Sequence, residues 1–180
     1  MKDHEAMTAD VGITIGVSGH QRRPGIDWDW VATSLRSEIA RTDLILKAFS
    51  SLAVGSDQVF ADVAIGLGIA VSAVLPLEGY ERYFEGKDLA NYRRLLGRSE
   101  RIQLNWRGDP QRAFFEAGKY VVENVDILFA IWDGEPADGL GGTADIVEYA
   151  EKKSSCKIIQ IDPVQRRIRR GIAAVKRPDI

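Results

Sequence analysis

The stretch DILFAIWDGEPADGLGGTADIVEYA, residues 126–150, decides the fold. Asp126–Ile131 is a continuous apolar run of strand length. Gly134–Gly142 interrupts it with a glycine-rich break. Thr143–Lys153 then carries helical spacing, and Lys157–Ile161 returns to a short apolar strand. A strand buried on both faces, a tight turn and a helix leading to another such strand make the unit of a parallel sheet.

The alternation continues toward the N-terminus. Val11–Val17 is β-rich and stops at Ser18-Gly19-His20. Trp30–Arg41 reads as a helix, with Val31, Leu35 and Ile39 four apart. Leu44–Ser50 is a strand, Gln58–Leu67 a helix, and Ile69–Leu75 a strand ended by Pro76. Pro76–Asp109 is less regular and rich in charge and Tyr. It holds a helix over Lys87–Arg98 and a short strand near Arg101–Asn105. Arg112–Asn124 is strongly amphipathic. Right-handed crossovers between such strands predict an α/β, doubly wound, mostly parallel Rossmann-like sheet with helices on both faces. No interior linker or repeat divides it. One domain over residues 11–162 is expected, after a flexible N-terminus at 1–10.

The 180 residues, 45% apolar and 28% charged, suffice for one buried core. The formal charge of −2 is a sum of unlike parts: residues 164–180 carry +5 and residues 1–163 carry −7. An acidic body argues against broad nucleic-acid binding, which needs a basic face. In the tail, Asp162 can cap a helix, Pro163 suits its first position, and Val164, Ile168, Ile172 and Val175 form an apolar stripe. This predicts a basic amphipathic helix over 163–180, packed on the domain.

Cys156 is the only cysteine, which excludes an intramolecular disulfide and a Cys-based zinc site. Two dispersed His give no metal-ligand pattern, so neither metal nor cofactor is expected. No apolar run approaches the ~20 residues that span a bilayer. Met1–Asp10 is polar, without the apolar segment of a signal peptide. The expectation is a cytoplasmic protein with no membrane partner.

In open parallel sheets, ligands bind beyond the carboxyl ends of the strands. Three loops here leave such ends. The first holds Ser18, Gly19, His20 and Gln21, followed by Arg22 and Arg23. His20 can contact phosphate or move a proton near neutral pH, or serve as a half-buried hydrogen-bonding residue. The second runs Ser51–Asp57, where Gly55 permits a turn and Ser56 or Asp57 can cap the next helix. The third runs from Trp132, Asp133 and Gly134 to Gly141, Gly142, Thr143 and Asp145. Its glycines allow close approach of a ligand, and the following helix offers free N–H groups and a positive dipole end. Gly141, Gly142 and Thr143 can thus cradle a phosphate, with Asp145 facing the same opening. Alternatively Thr143 caps the helix and Asp145 complements its dipole. Trp132 either stacks on a base or packs in the core. GxGxxG is absent after the first strand, and no GxxxxGK[ST] occurs. That argues against ordinary NAD dehydrogenases and P-loop NTPases.

Taken together, GVSGHQ (16–21), SLAVGSDQVFADVAIGLG (51–68) and VVENVDILFAIWDGEPADGLGGTADIVEYA (121–150) resemble SLOG-superfamily Rossmannoid proteins. That group includes LOG-type nucleoside-monophosphate phosphoribohydrolases, Smf/DprA proteins and nucleotide-sensing domains. The resemblance covers residues 11–161. It implies a site for a phosphorylated nucleoside or ADP-ribose-like ligand, with the loop at 141–143 on the phosphate, and a homo-oligomer. LOG enzymes carry a PGGxGTxxE-type motif. Gly141-Gly142-Thr143 matches it in part, and Asp145 falls at the acid position. The leading Pro-Gly-Gly is missing, the acid is Asp, and no catalytic Arg is identified by motif. Gln21 stands where related proteins often have Arg. Three functions follow from the resemblance. The first is sensing or sequestering a nucleotide. The second is N-glycosidic hydrolysis of a nucleoside 5′-monophosphate, with Asp145 as nucleophile or base and Glu148 sharing the role one turn on. The third, disfavoured by charge, is Smf/DprA-like binding of single-stranded nucleic acid.

Overall fold

The computed structural model describes residues 12–136, 141–153 and 156–171. Its strands are β1 (Ile13–Gly19), β2 (Ile45–Ser50), β3 (Val71–Leu75), β4 (Glu100–Gln103), β5 (Ile127–Ile131), β6 (Lys157–Asp162) and β7 (Arg167–Arg170). Its helices are α1 (Trp28–Ala40), α2 (Ser56–Gly66), α3 (Gly86–Leu96), α4 (Pro110–Glu123) and α5 (Thr143–Lys153), with a 3-10 helix at Tyr80–Tyr83. Each strand and helix expected between residues 11 and 161 is present, with ends shifted by a few residues. Ser18 and Gly19 are the last residues of β1 rather than part of the loop after it.

One sheet runs in the order β4-β3-β2-β1-β5-β6-β7. The first six strands are parallel, and β7 is antiparallel to β6. The chain steps outward from β1 to β4, then returns through α4 to lay β5 on the other side of β1. That reversal opens a crevice between the carboxyl ends of β1 and β5. All five residues of β3 and of β5 are buried, as a sheet covered on both faces requires. On one face Val31, Leu35 and Ile39 of α1 and Phe60 and Ala64 of α2 pack on Ile15, Val17 and Phe129. On the other, Ala117 and Val121 of α4 and Ile146, Val147 and Ala150 of α5 pack on Leu128, Ala130 and Ile158. Polar residues set the helix starts. The Asp27 carboxylate accepts from Trp30 N–H ahead of α1, and Asp109 accepts from Gln111 N–H with Pro110 at the first position of α4.

The tail differs from its expected helix. Asp162 does use its carboxylate as a cap, but on a tight turn, accepting from Val164 N–H and Gln165 N–H at 3.0 and 2.9 Å. Arg166 then takes a positive φ of 52°, which reverses the chain into β7. Alternation of period two fits Arg167–Arg170 better than a helical stripe. Ile168 packs on the core, Arg170 reaches Glu38 on α1, and Val164, assigned to the stripe, is 43% exposed. An Arg-rich edge strand also discourages further strand pairing. Residues 172–180, the expected flexible N-terminus at 1–10, and 137–140 of the third loop lie outside the described residues. Among the described residues no helix is long and apolar enough to cross a membrane.

Candidate functional site

The crevice at the β1/β5 reversal is a cleft of about 590 Å³. Its walls include Ser18, Gly19, His20 and Gln21 from the first strand end and Asp57 from the second. Gly141, Gly142 and Thr143 from the third complete this set. Three loops distant in sequence therefore meet at one opening. Such a volume matches small-molecule pockets.

Asp133, assigned to the ligand from the sequence, braces the wall of the cleft and is not among the residues that line it. It follows the end of β5, and its carboxylate lies 2.9 Å from His20 Nε2 and 2.5 Å from Arg23 Nε. It also accepts from Glu135 N–H at 3.2 Å. Burial alone would raise the Asp133 pKa. The hydrogen bond from His20, the Glu135 N–H and the charge of Arg23 outweigh it, and the pKa is lowered. An ionised carboxylate only accepts, so Nε2 of His20 carries the proton in this pair. The backbone fastens the same corner: His20 N–H donates to the Ile131 carbonyl at 3.0 Å.

Gly55 and Ser56 support the His20 loop from behind. The His20 carbonyl accepts from Ser56 N–H at 3.1 Å and from Ser56 Oγ at 2.7 Å. Gly55 has φ of 85°, and a Cβ there would sit 2.3 Å from the Gln21 carbonyl oxygen. Only glycine lets the two loops approach so closely. Asp57, in the first turn of α2, is buried at the cleft floor. It accepts from Ser50 Oγ at 3.0 Å and Ser51 N–H at 2.8 Å. Desolvation outweighs those bonds and pushes its pKa up to about 6.

At the start of α5, Gly141 has φ of 85°, and a Cβ there would fit tightly, 3.2 Å from Phe115 Cβ and from its backbone nitrogen. Its N–H donates to Asp145 Oδ2 at 2.9 Å, and the Gly142 carbonyl accepts from Asp145 N–H and Ile146 N–H. Asp145 thus folds back on the loop as a helix-capping acid. It is not among the cleft walls. Glu148 stands on the exposed face of α5, beside Lys152 at 2.8 Å, away from the opening. Gly134, with φ of 93°, turns the chain beyond the cleft edge. Trp132 packs on the core, as the second of its two readings has it, and also lines the cleft, with its indole N–H held by the Glu135 carbonyl. Among the described residues no three metal-ligating side chains converge.

A second wall was not expected. Tyr80, Tyr83, Phe84 and Phe114 line the side of the cleft beyond the end of β3. The Tyr content of residues 80–92 was the available signal. Phe114 comes from α4 and gives no hint of this role in its helical stripe.

No protein-family model matches the chain, and no curated protein matches it. Solved structures do. DNA processing protein A (DprA) from Streptococcus pneumoniae aligns with a TM-score of 0.60 over 84% of this chain, at 17% identity. The likeness is one of fold. A second protein, TM1055, aligns with a TM-score of 0.51 over 78% of this chain and 69% of its own, at 15% identity. This chain spans half the length of DprA.

Proposed function

We propose that this SLOG-type domain binds a phosphorylated nucleoside or an ADP-ribose-like ligand in the β1/β5 cleft, as a sensing or sequestering protein. The observation that carries this reading is the meeting of Gly141-Gly142-Thr143, at the start of α5, with the braced His20 loop across one cleft. Thr143 and Ala144, in the first turn of α5, line the opening, where the helix dipole favours an anion. Arg22 and Arg23 add positive charge at the rim. The ligand is then a small anion with an organic body, held from both sides.

Two observations favour binding over N-glycosidic hydrolysis. The Asp145 carboxylate is engaged with Gly141 N–H, and Glu148 lies outside the cleft. Binding of single-stranded nucleic acid, suggested by the DprA likeness, runs against the acidic body. Calorimetric titration with AMP, ADP-ribose and adenosine tests the proposal. Binding of the phosphorylated pair and not of adenosine is expected. Equal binding of all three, or of none at millimolar concentration, would refute it.

A further inference from the structure

The cleft has two chemically different ends. One is lined by Gly142 and Thr143 at the start of α5, with His20 and Arg23. The other is a wall of rings built on the 3-10 helix that follows β3. Tyr80 is its keystone, buried to 6% exposure, with Phe84 edge-on at 5.0 Å, Tyr92 of α3 edge-on at 5.8 Å and Phe114 of α4 at 6.0 Å. Phe84 in turn stacks on Tyr92 at 4.3 Å. Tyr83 is held against Phe114, ring to ring at 5.3 Å and 87°, yet remains 41% exposed. The Arg82 guanidinium carbon lies 5.4 Å from the centre of the Tyr83 ring, and the ring lines the cleft. Its position is fixed before any ligand arrives, so a flat partner would meet a prepared surface.

We infer that Tyr83 and Phe114 form the seat for the nucleobase of the bound ligand, with its phosphate at the start of α5. This rests on the nucleotide reading above and adds to it that ring recognition comes from the 3-10 helix and α4. A polar end and an aromatic end in one cleft suit an anion joined to a planar heterocycle. A sugar phosphate without a base would leave the ring wall wet.

The test compares AMP with ribose 5-phosphate by calorimetry, on the wild type and on Tyr83→Ala and Tyr83→Phe. Stacking on one aromatic side chain is worth about tenfold or more in affinity. AMP is expected to bind the wild type at least about tenfold tighter than ribose 5-phosphate. Tyr83→Ala should erase that advantage and leave ribose 5-phosphate unchanged, while Tyr83→Phe keeps it. Because Tyr83 is partly exposed, its truncation leaves the buried Tyr80–Phe84–Tyr92 cluster in place. Equal affinity of the wild type for both ligands, or equal weakening of both by Tyr83→Ala, would overturn the base seat alone. Failure of both to bind the wild type would overturn the nucleotide reading itself.

Discussion

His20 Nε2 and Asp133 Oδ1 lie 2.9 Å apart, joining the ends of neighbouring strands that are 113 residues apart in the chain. The same carboxylate holds Arg23, so one half-buried acid orients both His20 and Arg23 at the rim of the cleft. Asp133→Ala should therefore cost about 1–3 kcal/mol of stability, since it strands partly buried donors. It should also weaken nucleotide binding without Asp133 touching the ligand. Chemical denaturation and calorimetry on the same variant check both effects. The Asp133 pKa is lowered on folding, so its stabilisation is present above the ordinary Asp range and is lost as pH falls through the folded value.

Gly55→Ala would force a Cβ against the Gln21 carbonyl and strain a positive φ. Roughly 2–4 kcal/mol of destabilisation is expected. Gly66→Ala, in α2 with open space around its Cα, should be neutral or stabilising. Denaturation midpoints of the two variants give the comparison, and equal midpoints would remove the loop-contact explanation.

Asp57 has the opposite pH signature to Asp133. Its folded pKa of about 6 exceeds the reference value of 3.8, so the folded state holds its proton where the unfolded state has lost it. Stability from this group is present below the unfolded value and is lost as pH rises toward 6 and beyond. The shift corresponds to something on the order of 3 kcal/mol. The stability of the wild type relative to Asp57→Asn should accordingly decline between about pH 4 and pH 7. A pH-independent difference would show that Asp57 keeps an ordinary pKa.

The elements that carry periodic apolar patterns were legible in the sequence, because β5, α2 and α5 each bury what their spacing exposes to the core. That Gly141-Gly142-Thr143 stands at the start of a helix was legible too. The roles of its neighbours were not. Asp145 and Asp133 look alike as acids near glycine, yet one folds back on Gly141 N–H and the other reaches across to β1. Only the sheet order, which places β5 beside β1, distinguishes them. The ring wall was hidden because Tyr83 and Phe114 lie on separate elements, and nothing local says that they meet. The tail misled for a sharper reason: Asp162-Pro163 is the same signal for a helix start and for a tight turn, and the edge of β6 was free to accept a strand.

Arg170 makes two hydrogen bonds to Glu38, whose side chain is only 3% exposed. Arg170→Ala should lower the Tm more than Arg169→Ala, since Arg170 alone of the two is paired with a buried carboxylate. The Glu38 pKa is lowered chiefly by the Arg170 hydrogen bond against the cost of burial. The difference between wild type and Arg170→Ala should therefore be largest above the ordinary Glu range and shrink as pH falls through it. Thermal melts at two pH values check this, and indistinguishable Arg170→Ala and Arg169→Ala variants would contradict the β7 hairpin.

An amide-resolved NMR titration with AMP tests the nucleotide site most directly. Shifts should concentrate at Gly19, His20, Gly142, Thr143, Ala144 and the Trp132 indole N–H, which surround the cleft. Saturation with those amides unmoved, or shifts confined to the basic β6–β7 edge, would contradict a nucleotide site at the β1/β5 reversal.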